Sequence, residues 1–110
     1  MVEKHQHLRE QKYSKYVLAA AKRYKISPQL IYGIIETESS FNPFAVSTAN
    51  AYGLMQIVPK TAGADVFQRI KNKKGQPTKR QLFDPAFNID IGSAYLYILN
   101  NNYLQAVKNH

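Results

Sequence analysis

The stretch from Ser27 to Gln56 constrains this chain more than any other, because its first half is punctuated at both ends. Ser27 offers a hydroxyl to an orphan N–H, and Pro28 fits the first helical position, where no N–H is missed, so a helix begins there. Asn42-Pro43 closes it near Phe41, since the residue before a proline is pushed out of the helical region. Inside these bounds Ile31, Ile34 and Ile35 mark one apolar face at i, i+3, i+4 spacing. The next position on that face is Glu38. A carboxyl stands where the pattern calls for a hydrophobe.

Apolar neighbours strip water from a charged carboxylate, so a carboxyl shielded by isoleucines holds a proton that it is able to donate. Glu36 lies about 200° round the helix from Glu38 and cannot face the same cleft, so it reads as a solvated face residue. The plainer alternative for Glu38 is a helix-end carboxylate exposed to water or paired with a lysine. Beyond the helix, Phe44 to Ala51 mixes small, polar and β-branched residues without helical period, which predicts an extended loop or a short strand pair. Gly53 then permits a close approach of backbone or ligand, and Leu54, Met55, Ile57 and Val58 give one apolar turn. Gln56 is the polar exception. Its amide, with donor and acceptor ends, suits an acetamido or hydroxyl group, the alternative being an ordinary surface glutamine.

The run E-S-S-F-N-P-x-A-V-S, from Glu38 to Ser47, followed by A-x-G-L-M-Q, from Ala51 to Gln56, resembles the signature of the lysozyme-like lytic transglycosylases. A third block, L-F-D-P-A-F-N-I-D-I-G-S-A-Y-L from Leu82 to Leu96, resembles the next block of that family, so the likeness covers most of residues 14 to 104. Its wording is most similar to the membrane-bound lytic transglycosylase C branch. The resemblance implies a mainly α, lysozyme-like α+β fold, a helical domain with a small extended region after the helix of the acid. It implies cleavage of the β-1,4 bond between N-acetylmuramic acid and N-acetylglucosamine, with 1,6-anhydro ends and no cofactor. Glu38 takes the place of the catalytic acid, and Ser39, Ser47, Met55, Gln56 and Val58 take the places of glycan contacts. Many relatives carry methionine where this chain has Val58. The family's A-Y-N motif, whose tyrosine contacts the acid region, does not occur in these 110 residues. The resemblance therefore implies a domain lacking its C-terminal block, with a cleft open on one side.

Composition bounds the rest. A chain of 110 residues, 45% hydrophobic, makes one small domain. Without cysteine, a disulfide framework and a thiolate metal site are excluded. No stretch approaches the roughly 20 apolar residues of a membrane span, and the start is no signal peptide. A periplasmic or envelope location, with a lipid anchor for the native protein, is thus implied by the resemblance and carried by no segment of this chain. A charge of +8 favours an anionic partner, and nucleic acid, acidic lipid and carboxylate-bearing cell-wall polymer all qualify. No nucleic-acid motif accompanies that charge, and charge alone does not choose among the partners; peptidoglycan strands bound by a monomer are what the resemblance implies.

Residues 1 to 12 are polar and predict a frayed lead-in, where His5 and His7 at i, i+2 spacing make a poor metal site. The domain proper is expected over residues 13 to 104, with a tail at 105 to 110. Tyr13, Tyr16, Val17, Ala20 and Tyr24 fall on one helical face and read as core rather than as a sugar platform. Pro59 restarts a helix through Ala62, Val66, Phe67 and Ile70. Residues 69 to 80, with six basic and no acidic side chains, read as a mobile basic loop that either attracts peptide-stem carboxylates or is merely solvated. Asp84-Pro85 caps a last helix whose inward face runs through Phe87, Ile91, Ala94, Tyr95, Ile98 and Leu99, with Gly92 at a close helix crossing and Asn100 to Asn102 as its end.

Glycosidases usually place two carboxylates about 5 to 10 Å apart. None of Glu3, Glu10, Asp65, Asp84 or Asp90 follows a cleft-like pattern. One acid working alone matches what the resemblance implies, a glutamate acting first as acid and then as base on the muramoyl 6-hydroxyl. A hydrolase on the same bond, a non-catalytic glycan-binding module and a general polyanion binder stay open as alternatives.

Overall fold

The computed structural model describes residues 2–108, with side chains from Leu8 onward. Side chains of the His5–His7 pair and of Glu3 lie outside the described residues, as does all of His110. Helix α1 spans Val2–Tyr24, longer than the tyrosine stripe predicts. Glutamate, lysine, glutamine and leucine all favour helix, and no glycine or proline interrupts them, so the expected lead-in is helical in backbone. Only its second half is buried: Tyr13, Val17, Ala20 and Tyr24 enter the core, while Tyr16 faces out.

Helix α2, Pro28–Ser39, begins as expected, with the Ser27 hydroxyl accepting from the Leu30 N–H at 3.4 Å. It stops two residues before Phe41, because Ser40 and Phe41 both take left-handed backbone conformations, with φ of 50° and 63°. The Ser40 N–H donates to the Glu36 carbonyl at 3.1 Å. The turn carries Phe41 back into the core, where its ring stacks on Tyr13 with centroids 6.3 Å apart. Ile31 and Ile35 are fully buried, each contributing about 1.5–3 kcal/mol of apolar burial.

Between α2 and the next helical turn, Val46, Tyr52 and Ile57 form isolated antiparallel bridges, the small extended region expected after the glutamate helix. A π-helical turn, Pro59–Gly63, leads into α3, Ala64–Arg69. The segment expected to be a mobile loop is fixed at its far end. Pro77 is buried against Gly63, and Thr78 caps α4, Lys79–Leu82, through a reciprocal capping box with Gln81.

Helix α5, Pro85–Lys108, is the element on which α3, α4 and the π-helical turn pack; α1 lies along it, and α2 packs on α1. Asp84 caps it by accepting the Ala86 N–H at 2.9 Å. It runs through Asn100–Asn102 to Lys108 rather than ending there, since asparagine only weakly disfavours a helix whose other residues favour it. Residues 99–108 are exposed, so Leu99 leaves the inward face to which its spacing assigned it. A polar cluster fastens α1, α5 and the turn after α3. Asp90 accepts from Arg23 at 2.5 Å, Tyr24 at 2.9 Å and Lys71 at 2.6 Å. Half-burial pushes the Asp90 carboxyl up, but hydrogen bonds from Lys71 and Tyr24 and the charges beside it outweigh that and hold it below the ordinary range. Burial likewise pulls Lys71 down, and its bonds to Asp90 and Tyr24 raise it above its ordinary value.

Candidate active site

Gly53 is the residue on which the local structure turns. Its φ of +80° is left-handed, and a Cβ there would clash at 2.3 Å with both the Asn88 amide nitrogen and the Leu82 carbonyl oxygen. Only glycine lets the loop lie this close to α5. Asn88, wholly buried, then holds the loop at two points and ties it to the end of α4 by a third bond. Its Oδ1 accepts the Met55 N–H at 2.8 Å, and its Nδ2 donates to the carbonyls of Tyr52 and Leu82, each at 2.9 Å. Sequence reading passed over Asn88, although it was signalled: it is a polar residue one turn before Ile91 on the inward face of α5, the same kind of exception that singled out Glu38.

Held this way, the loop forms one wall of a groove with a cavity of 340 Å³, whose other wall comes from α5 and α2. Met55, Gln56 and Val58 line it together with Ile34, Tyr95 and Leu96. Three of the expected contact residues thus share one depression. Met55 packs over Gly92, where any Cβ would strike its sulfur. The close approach expected of Gly92 is therefore to this loop side chain rather than to a crossing helix. Gln56 sits in a left-handed conformation, φ 53°, with its Nε2 donating to the Ala45 and Gly53 carbonyls at 3.1 and 3.0 Å. The amide oxygen keeps its acceptor capacity.

The two serines are used internally. Ser39 donates its hydroxyl to the Leu54 carbonyl at 2.7 Å, with the Ile35 carbonyl 3.0 Å away. Ser47 accepts the N–H groups of Ala49 and Ala51, both at 3.2 Å, the turn-capping role that its residue type also allows. Both therefore shape the loop that borders the groove.

The glutamates reverse part of the expectation. Glu38 is exposed, so the isoleucines do not shield it. Glu36 is partly buried, with Oε2 enclosed and lacking a hydrogen-bond partner among the described residues, instead of being a solvated face residue. Helical spacing nevertheless separates them by direction. Ile34, one turn before Glu38, lines the groove, whereas Tyr32, one turn before Glu36, reaches α1 and donates to the Glu10 carbonyl at 3.3 Å. Helical spacing thus puts Glu38 on the side of α2 that carries Ile34, although Glu38 is not among the residues lining the cavity, and Glu36 on the side that carries Tyr32. Among the described residues no group of three or more His, Asp or Glu side chains gathers as a metal site would require.

Residues 15–109 match the sequence profile of the Transglycosylase SLT domain. The chain belongs to this family. SLT-domain relatives are similar along nearly its whole length. Membrane-bound lytic murein transglycosylase C from Haemophilus influenzae is 55% identical over 109 residues, and its counterpart from Mannheimia succiniciproducens 54%. These alignments take in 99% of this chain and 30% of each relative, so the chain spans about a third of the length of the curated proteins it matches. The X-ray structure of an inactive mutant of the lytic transglycosylase Slt from Pseudomonas aeruginosa superposes with a TM-score of 0.73 at 28% identity. It covers 82% of this chain and 14% of that one. The lysozyme-like SLT fold expected from the resemblance is the fold observed.

Proposed function

We propose that this chain is the glycan-cleaving domain of a peptidoglycan lytic transglycosylase, acting as a monomer in the cell envelope, on its periplasmic face. The observation that carries this reading is the groove face of α2, where Glu38 follows Ile34 by one turn and Gln56 lies across the same depression. Relatives named as lytic murein transglycosylases support the choice of polymer. In the reaction Glu38 gives its proton to the oxygen between muramoyl C1 and the next sugar, and the C1–O bond breaks. The N-acetyl oxygen of the muramoyl residue stabilises C1. Glu38, now a carboxylate, takes the proton of the C6 hydroxyl as that oxygen bonds to C1, closing the 1,6-anhydro ring. Water is neither consumed nor released. Because Glu38 is exposed in the free chain, it is the bound sugar itself, laid against Ile34 and Met55, that excludes water from it. Gln56 contributes its free amide oxygen to an acetamido N–H, and Val58 the apolar edge.

Mass spectrometry of the muropeptides released from purified sacculi tests the proposal. Products carrying 1,6-anhydro ends support it. Reducing ends, heavier by one water, would identify a hydrolase, and retention on sacculi without release would identify a binding module.

A further inference from the structure

The side of the molecule away from the groove carries lysines that no role above uses. On α1, Leu8, Lys15, Leu18 and Lys22 recur at i, i+7, i+10 and i+14, so they share one helical face, and all four are exposed. The stripe of Tyr13, Val17, Ala20 and Tyr24 that enters the core lies on the opposite side of the same helix. Lys25 follows, exposed, just past the end of α1. The turn after α3 brings a second group to this end, since the Lys71 ammonium reaches the Tyr24 hydroxyl at 3.2 Å and shares the Asp90 carboxylate with Arg23. Lys73 and Lys74 come next, on a turn fixed by the Lys73 N–H, which donates to the Phe67 carbonyl at 2.9 Å. Lys15, Lys22, Lys25, Lys73 and Lys74 are all exposed and enter no ion pair among the described residues. Glu10, on the same helix, lies instead in the cleft toward α2 with Gln29 and Tyr32.

The direction of this face follows from α5. Gly92 is turned to Met55 in the groove, and Asp90, two residues earlier, lies about 200° round the helix. No residue of α1 or of the turn after α3 lines the groove. The lysines therefore look away from it. Five lysine point charges suit a diffuse anionic surface better than bidentate capture of a single group, for which arginine is the fitted side chain. Leu8 and Leu18, set among them, find no partner on the phosphodiester backbone of a nucleic acid, whereas they fit the boundary between lipid headgroups and acyl chains. We propose that this face lies on a bilayer bearing anionic phospholipid headgroups, with the lysines among the lipid phosphates, Leu8 and Leu18 entering the headgroup layer, and the groove opening away from the membrane. The attachment belongs to the folded surface and uses neither Glu38 nor Gln56.

Co-flotation of the whole chain with vesicles tests this, comparing pure phosphatidylcholine with an equal mixture of phosphatidylcholine and phosphatidylglycerol. The chain is expected on the mixed vesicles alone, with less bound as salt rises. Each lysine removed from the face should weaken partitioning roughly 5-fold, so Lys22→Gln loses about 5-fold and Lys73→Gln/Lys74→Gln about 25-fold. Leu18→Ser lowers the binding that survives at high salt. Lys60→Gln, the same change of charge beside the groove, leaves partitioning unaltered, and circular dichroism confirms that each of these exposed replacements folds. Equal binding to both kinds of vesicle would overturn the proposal, as would a Lys60→Gln loss equal to that of Lys22→Gln. So would a Leu18→Ser chain that binds like the parent at every salt concentration while a short DNA duplex is bound with the same lysine dependence, the mark of a general polyanion surface. Retention on purified sacculi that falls with these lysines while vesicle binding does not would give the face to the cell-wall polymer and overturn the proposal too. Glu38→Gln should float as the parent does. Vesicle binding without anhydro products thus removes the catalytic reading alone, and anhydro products without vesicle binding remove the membrane face alone.

Discussion

Ser39 donates its hydroxyl to the Leu54 carbonyl across 2.7 Å, so the residue next to Glu38 is bonded to the loop that carries Gln56. The two sides of the groove are thereby held in register. Leu54 is fully buried, and removing the donor leaves its carbonyl without that partner. Ser39→Ala is expected to lower stability by about 1–3 kcal/mol, the cost of an unsatisfied buried polar group. Thermal unfolding measures this, and steady-state kinetics of the same variant should show a fall in kcat larger than the change in KM. An unaltered Tm would mean that the bond contributes nothing to holding the loop.

The proposed division between the glutamates makes a paired prediction. Glu38→Gln should reduce release of anhydro-muropeptides by at least ~100-fold, the lower end for loss of a general acid, with the far-UV circular dichroism unchanged. Glu36→Gln, on the face toward α1, should leave turnover close to that of the unaltered chain. Reversed results would move the acid to Glu36 and with it the site to the other side of α2.

Much of this was legible in local sequence, and what was not depended on contacts across the chain. Ser27-Pro28 and Asp84-Pro85 announced their helices because caps and first-turn prolines act within a few residues. Met55, Gln56 and Val58 were found through a short motif and do share one depression. The end of α2 was misplaced because the left-handed Ser40 and Phe41 are set by Phe41 packing on Tyr13, 28 positions away. The roles of Ser39 and Asn88 rest on partners 15 and 33 residues distant, which no periodicity reveals. Glu38 was expected to be shielded and is exposed, since spacing gives direction and says nothing of what stands opposite.

The Asp90 cluster sets the expected pH dependence of stability. A carboxyl held below its ordinary range stabilises the fold fully above the unfolded value of about 3.9 and loses that contribution as pH falls through its folded value. Lys71, raised, contributes below about pH 10.4 and loses its contribution as pH rises through its folded value. Asp90→Asn should therefore cost about 1–3 kcal/mol at neutral pH, or some 4–8 °C in Tm for each kcal/mol. Its deficit relative to the parent chain should shrink below about pH 4. A deficit that stays constant from pH 7 to pH 3 would show that the charge of Asp90 is not what fastens α1 to α5.

Asn88 offers the sharpest test of how the loop is held, because one isosteric change reverses the sense of two of its hydrogen bonds. In Asn88→Asp an oxygen replaces the Nδ2 that donates to the Tyr52 and Leu82 carbonyls, placing a buried carboxylate against two acceptors. The loss at pH 7 should reach about 3 kcal/mol or more, the range for an uncompensated buried charge. Both the missing donors and the burial favour the protonated form, so the introduced carboxyl titrates above its ordinary range. The loss is then smallest below about pH 3.9 and grows as pH rises through the folded value. Asn88→Ala, which removes the bonds without adding a charge, should show a loss that does not follow pH over the same interval. Urea unfolding of both variants from pH 4 to pH 7 distinguishes them. Parallel curves would mean that Nδ2 does not carry the loop, and that Gln56 is positioned by its own bonds to Ala45 and Gly53.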